Sequence, residues 1–413
     1  MIDIVGTLCC GCSACTSICP KNCISMKENS EGFLYPVVDK EMCVKCGLCE
    51  KTCPVLHTSY DTDLREAYGA ITKDNDTLLR SSSGGFFTEL ATLVLDDGGC
   101  VFGAAFSDDF HRVKHVMAES VEGLSELRGS KYVQSDIGNT FHEAEEQLEK
   151  GRHVLFSGTP CQISGLKNYL GKEYENLLLV DIICHGTPSP ALWNCYLTDV
   201  ETQMGGKARY VSFRHKEHGW RKFGMEMPFE TGKRYFKELG EDPFLKMFLK
   251  NYCLRESCYN CHIKETGAAA DITIGDFWGV EHVAPEIDNS MGVSLALVHT
   301  EKGKRYCESA AQHMRTIQTD YDSAIAHNSA MNHSVARPTE REKFFADMNH
   351  MDWDKLVKKY TSVPLKTRVR QMLSRSMIGK IKRRLLHRSN AGGGGKPAFQ
   401  YGVLILMDSQ CDC

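Results

Sequence analysis

Cys9-Cys10-Gly11-Cys12-Ser13-Ala14-Cys15-Thr16-Ser17-Ile18-Cys19-Pro20 is answered further along by Cys43-Val44-Lys45-Cys46-Gly47-Leu48-Cys49-Glu50-Lys51-Thr52-Cys53-Pro54. Each run spaces four cysteines by gaps of two, two and three residues and closes on a proline. Two-residue gaps let one tight loop wrap three thiolates around three irons of a cubane, while the fourth cysteine, a turn further on, faces the other cubane. One [4Fe–4S] cluster is therefore expected on Cys9, Cys12, Cys15 and Cys53, and a second on Cys43, Cys46, Cys49 and Cys19. Zinc knuckles usually pair two CxxC units across a longer gap, which these compact runs do not do.

The first sixty residues thus read as a bacterial-type two-cluster ferredoxin module. Between the runs, Gly32-Phe33 and Tyr35-Pro36-Val37-Val38 suggest a hairpin-like return that brings the halves together. Cys10 and Cys23 lie outside the repeat: Cys10 sits beside a ligand, and Cys23 occupies a place suited to a small apolar residue. So small a module has little core, and its clusters supply much of its folding energy.

The whole chain has 413 residues, 42% hydrophobic and 25% charged, with a net charge of −4. This is ordinary globular composition, and the mild charge gives no reason to expect a nucleic-acid partner. Of the 20 cysteines, ten precede residue 60 and three more fall between 253 and 261. The start, Met1-Ile2-Asp3, shows no signal-peptide pattern, and no run is apolar enough for a membrane span. The cytoplasm is the expected compartment, and reduced thiols there argue for metal or redox chemistry.

Beyond polar residues 61–66, apolar runs alternate with helical segments, which predicts a mixed α/β or α+β domain over 65–350. Strands are expected at Ala67–Ile71, Cys100–Phe106, Val154–Ser157, Leu177–Cys184, Tyr210–Phe213, Asp271–Gly275 and Val293–His299. Helices are expected at 85–96, 138–150, 161–170, 190–203, 242–251 and 301–315. Residues 355–388 carry no acidic side chain, and Val369, Leu373, Met377, Ile381 and Leu385 recur at helical spacing. A basic helical segment over 351–390 is expected, either packed by its apolar stripe or in weak contact with a membrane surface, before a flexible glycine-rich tail at 391–413.

Three constellations carry further chemistry. Ser157-Gly158-Thr159-Pro160-Cys161-Gln162 follows an apolar strand and opens a helix, where a thiolate is stabilised as metal ligand or nucleophile. Leu177–Cys184 ends in a cysteine followed by His185, at the strand end where α/β sheets place ligands. Cys253, Cys258 and Cys261 precede Ala270–Gly279. With Cys161 and Cys184 they make five soft ligands, of which four suffice for a third cluster or a zinc site. Ser82-Ser83-Gly84-Gly85-Phe86 before a helix suits a phosphate or a plain capping loop. Gly129-Ser130-Lys131-Tyr132 and Phe213-Arg214-His215-Lys216-Glu217-His218-Gly219-Trp220 offer cations beside aromatic rings, in a cofactor grip or an ordinary turn.

Together these segments resemble the beta subunit of coenzyme F420 hydrogenase/dehydrogenase over residues 65–350, the most specific parts being Gly158–Gln162, Cys258-x2-Cys261 and Ala270–Gly279. The resemblance implies an FAD beside one more [4Fe–4S] cluster. Its ligands would be Cys161, Cys184, Cys258 and Cys261, with Cys253 as the substitute for Cys184. It further implies flavin contacts from Ser82, Ser83, Gly84, Gly85, Lys131 and Tyr132, with Arg214 as a tuning group. The expected function is an iron–sulfur flavoprotein oxidoreductase in an anaerobic setting. It would pass electrons between a small hydride carrier, F420 or an analogue, and the ferredoxin-type clusters, with a redox protein or external ferredoxin as partner. Two other readings remain: a non-catalytic electron-transfer subunit serving a partner enzyme, and a thiol enzyme built on Cys161 and His185.

Overall fold

The computed structural model describes residues 1–57, 60, 64–265 and 268–362. The expected amphipathic stripe from Val369 to Leu385 and the tail at 391–413 lie outside the described residues. Met1–Ala346 form one compact unit, and a second begins at Asp347. In the second unit the helix Trp353–Thr361 turns Leu356 and Tyr360 inward, and the Tyr360 hydroxyl donates to Asp347 at 2.7 Å.

Among the described residues, fourteen strands order the first unit. They are β1 (Ile24–Glu28), β2 (Leu34–Val38), β3 (Glu66–Thr72), β4 (Cys100–Phe106), β5 (Val113–Ala118), β6 (Ser135–Asp136), β7 (Val154–Gly158), β8 (Leu177–Ile182), β9 (Ser212–His215), β10 (Gly224–Pro228), β11 (Arg234–Glu238), β12 (Ile272–Asp276), β13 (Ser294–Val298) and β14 (Met314–Thr319). Nine of them form a mixed sheet in the order β14-β3-β13-β12-β8-β7-β4-β5-β6. Its centre, β4-β7-β8-β12, is parallel, and its flanks pair antiparallel through β13 and β5. The central strands are apolar on both faces because helices cover them on both sides. β7 and β8 read Val-Leu-Phe and Leu-Leu-Leu-Val, all buried. A three-stranded sheet, β11-β10-β9, and the hairpin β1-β2 stand apart from it.

The mixed α/β expectation agrees with this sheet, and β4 matches its expected bounds. Three segments differ. The expected strand to Cys184 ends at Ile182, because the chain leaves the sheet to carry Cys184 outward. The strand expected at Tyr210–Phe213 forms at Ser212–His215. The helix expected over 301–315 stops at Ala311, and Met314–Thr319 pairs with β3 as an edge strand. Its polar residues face solvent, so it lacks the apolar run that marks a buried strand.

The ferredoxin segment is built into this unit. Cys12 and Ala14 belong to the same apolar core as Phe102, Phe156, Ile163 and Leu166 of the sheet and its helix. Gly32 lies against the backbone of Ala191, and the Ser189 hydroxyl donates to the Glu31 carbonyl at 2.5 Å. The Arg341 guanidinium grips both oxygens of Glu31, at 2.9 and 2.7 Å, on its buried side.

Candidate functional site

The two ferredoxin runs form two cysteine-lined cavities. Cys9, Cys12, Cys15 and Cys53 line one, with Ile2, Val5 and Met26. Cys19, Cys43, Cys46 and Cys49 line the other, with Val38, Val44 and Leu48. The crossed sets of the spacing argument therefore meet in space, each run lending its fourth cysteine to the opposite cavity. Local geometry makes this possible: Ser13 and Gly47, both with left-handed backbones, open the short helices Ala14–Ser17 and Leu48–Lys51. Each helix turns its cysteine inward and ends just short of the fourth one.

The large sheet builds a third set. Cys161 opens the helix Pro160–Leu170 after β7, and Cys184 follows β8. These are the carboxyl ends of neighbouring parallel strands. The Thr159–Gln162 capping box and Pro160 set the start of that helix. Cys258 lies in the short 3-10 turn Glu256–Asn260, and Cys261 follows it. The thiols interact electrostatically: Cys184 feels Cys258, Cys161 and Cys261, and Cys258 and Cys261 both feel Cys161. Burial pushes the Cys258 thiol up to about 11 and raises those of Cys184 and Cys261. The Cys161 thiol is raised chiefly by its hydrogen bond with Cys10, then by burial. Donors reach two of the sulfurs: the Thr187 N–H meets Cys258 Sγ at 3.3 Å, and Thr159 Oγ1 lies 3.2 Å from Cys161 Sγ.

Cys253 stands outside this group. It is fully buried, and no other cysteine is among the groups acting on it. His185 does not partner Cys161 either: its Nε2 lies 2.7 Å from Asn251 Oδ1, and its ring packs edge-on against Phe248. Among the described residues no three His, Cys, Asp or Glu side chains converge to hold a single metal ion. A cubane has a different requirement, since each of its four thiolates meets a separate iron at a corner.

The residues expected at a flavin also gather, in a second region bounded by the ends of β7, β9 and β12. The Ser82 hydroxyl accepts from the Ser130 N–H at 2.7 Å, joining the loops at 81–86 and 129–132. Arg214 on β9 donates to Asp276 at 2.7 Å and to the Tyr132 hydroxyl at 3.3 Å, and lies 3.9 Å over the Phe223 ring. Its Nε and Nη2 are buried without a hydrogen-bond partner. The Lys131 Nζ donates to the Arg128 carbonyl at 2.9 Å, and burial pushes its ammonium down to about 7. Beside it His115, on β5, is held neutral by burial, at about 4.

Gly84 and Gly85 have structural duties of their own. A side chain at Gly84 would strike the Ala70 carbonyl and Ser294, and the Gly84 N–H already donates to Ser294 Oγ at 2.9 Å. Gly85 takes φ +91° at the cap of the helix Phe86–Asp96. Ser83 donates to the Val293 carbonyl at 2.8 Å.

Two buried cations hold the regions together, Lys216 from the polar segment at 213–220 and Arg255, which the sequence did not single out. Lys216 is buried and its Nζ donates to the carbonyls of Leu78, Ser83 and Met291, at 3.0, 2.7 and 2.6 Å. Arg255 is fully buried between the ferredoxin segment and the third thiol set. A charged residue within Leu254-Arg255-Glu256-Ser257 reads as surface, so Arg255 carries no sequence signal.

The two cysteine cavities of the N-terminal segment have the make-up of an iron–sulfur domain. Residues 8–56 match the 4Fe-4S dicluster domain, and residues 151–323 match the C terminus of the coenzyme F420 hydrogenase/dehydrogenase beta subunit. The chain thus joins a dicluster ferredoxin domain to the C-terminal domain of that beta-subunit family. It is 23% identical over 190 residues to the F subunit of F(420)H(2) dehydrogenase from Methanosarcina mazei, covering 43% of this chain and 53% of that one. It is 25% identical over 305 residues to coenzyme F420-dependent sulfite reductase of Methanocaldococcus jannaschii, covering 72% and 45%. The chain therefore spans about half the length of these curated relatives. A chain from the F420-reducing [NiFe] hydrogenase complex of Methanosarcina barkeri aligns with a TM-score of 0.42 at 18% identity, over 64% of this chain and 84% of that one. Among the described residues no helix is long and apolar enough to cross a membrane.

Proposed function

We propose that the chain is an iron–sulfur flavoprotein oxidoreductase. In this reading it passes electrons between a two-electron carrier, coenzyme F420 or an analogue, and ferredoxin-type clusters. The observation that carries it is the meeting of Cys161, Cys184, Cys258 and Cys261 at the ends of β7 and β8, next to Cys10 and Cys12 of the ferredoxin segment. Four partly buried thiols from separate stretches of the chain, brought together at these strand ends, suit a metal cluster that binds them as thiolates. A third [4Fe–4S] cluster on these four fits the donor set, and Cys253 is not needed.

The Arg214 donors left unpaired suit an anionic group, and Tyr132 and Trp278 supply ring surface beside them. Together with Ser82, Ser83, Gly84, Gly85 and Lys131 these residues would hold an FAD. When bound, FAD accepts a hydride as a pair and releases single electrons. The protein's part is to position: Lys216 ties the Ser83 loop to Met291, and Asp276 fixes Arg214. The thiol sets then fall in series, from Cys161 through the Cys12 cavity to the exposed Cys46. A redox partner, either an associated protein or a free ferredoxin, would meet the chain at that outer end.

Anaerobic purification followed by iron, sulfide and flavin assays tests the reading. Three clusters require about twelve irons per chain, with one FAD and reduction of F420 or an analogue. About eight irons and no flavin would leave only the alternative of a non-catalytic electron-transfer subunit.

A further inference from the structure

Among the described residues Arg255 is the most buried cation, with no measurable exposure. Its Nε donates to the Cys9 carbonyl at 2.6 Å, its Nη2 to the Leu34 carbonyl at 2.9 Å and its Nη1 to Gln134 Oε1 at 3.0 Å. Gln134 in turn donates to the Cys10 carbonyl at 3.4 Å. The guanidinium is stacked 4.1 Å from the Tyr35 ring and 5.5 Å from Phe33. Its backbone is tied to the third thiol set: the Arg255 N–H donates to the Thr187 carbonyl and its carbonyl accepts from the Cys258 N–H, both at 2.9 Å.

All three side-chain acceptors are neutral, and among the described residues no carboxylate pairs with Arg255. A buried charge without a counter-charge is strongly disfavoured, so the site calls for negative charge nearby. Thiolates are the available source: Arg255 acts on Cys161 and Cys258 from one side and grips the Cys9 loop on the other. A four-thiolate cluster is anionic and becomes more so on reduction. A fixed cation beside it therefore favours the reduced form and raises its potential.

We propose that Arg255 poises the junction between the Cys9 cluster and the Cys161 cluster, holding the two sites in register and raising the reduction potential of both. The proposal rests on the three-cluster reading above. Arg255 is a positioning and tuning residue, not a catalytic one. Among the described residues, the hydrogen bonds of Arg255 run to the Cys9 loop and the Cys258 turn and include none of Cys19, Cys43, Cys46 and Cys49, so a second ferredoxin cluster on those four should be untouched.

The test is an anaerobic redox titration of the full, cluster-loaded chain, followed by electron paramagnetic resonance (EPR). R255M is expected to keep about twelve irons. It should lower the potentials of two clusters by roughly tenfold in equilibrium constant, about 59 mV for a one-electron couple, and leave the third in place. R255K, which keeps the charge but loses the three-way fork, should restore most of that shift. Q134E leaves the arginine in position and sets a carboxylate against it; it should lower the same two potentials, which keeps the test decisive if R255M fails to load. Unmoved potentials in both R255M and Q134E, equal shifts in all three clusters, or an R255K shift as large as that of R255M would overturn the proposal. About eight irons in the unmodified protein would instead overturn the three-cluster reading on which it stands.

Discussion

The same eleven-residue cysteine pattern is written twice in the ferredoxin segment, and the fold treats the copies in opposite ways. Around the first, Cys12, Cys15 and Cys53 are buried, and Cys12 packs against Gly165 of the sheet's helix. Around the second, Cys46 is exposed, and Met42, Val44 and Leu48 stand in solvent beside it. Equal ligand chemistry with unequal burial makes one copy an inner site and the other an outer one. The difference between the two copies comes from packing, not from the motif.

Breaking each end should give different failures. C258S should remove about four irons and end delivery of electrons from the large domain to either ferredoxin cluster. C46S should also remove about four irons, yet leave the inner cluster reducible from the large domain. Iron analysis with EPR after reduction separates the two; equal loss of internal transfer in both would break the comparison.

The strand that leads to Cys184 of the third thiol set offers a stability test. Burial pushes the Asp181 carboxyl up to about 7, and its Oδ1 has no partner. Between pH ~4 and the folded value the unfolded chain has released a proton that the folded chain still holds. Stability therefore falls as pH rises through that window. D181N should abolish this fall and gain on the order of 2–4 kcal/mol above it, read by denaturant unfolding at the two ends of the window. An unchanged slope would show that Asp181 is already ionised in the fold.

Two glycines sharpen the contrast at smaller cost. A Cβ at Gly165 would lie 3.0 Å from both Cys12 Cβ and Sγ. G165V should cost about 1–3 kcal/mol by overpacking and speed loss of the inner cluster to a chelator. Gly47 meets nothing within 4 Å, and only its φ of +78° resists substitution. G47A should cost about 1 kcal/mol and leave the inner cluster's release rate unchanged. The reverse order of release rates would contradict the assignment of inner and outer sites.

Legibility in the sequence follows how local the physics is. The two ferredoxin sets were readable because loop geometry decides them within eleven residues. β4 was readable because a buried central strand is continuously apolar. β14, Met-Arg-Thr-Ile-Gln-Thr, was hidden because an edge strand exposes most of its residues. β10 and β11 were hidden for a related reason: they lie in a small sheet with polar residues such as Glu226 and Lys237 facing outward. Arg255 and Gln134 escaped because their contacts join segments more than a hundred residues apart, where a lone Arg or Gln looks like surface. The same separation explains why spacing alone left five cysteines for four places, with Cys253 as the substitute for Cys184, while the geometry brings Cys184 and not Cys253 to the other three thiols.

The central claim is that the Cys12 cavity lies between the large domain's thiols and the outer cavity. EPR of the fully reduced chain tests it most directly. The account expects the large-domain cluster to show magnetic coupling to the inner ferredoxin cluster, with that coupling intact in C46S and absent in C12S. Coupling that survives C12S but disappears in C46S would contradict it.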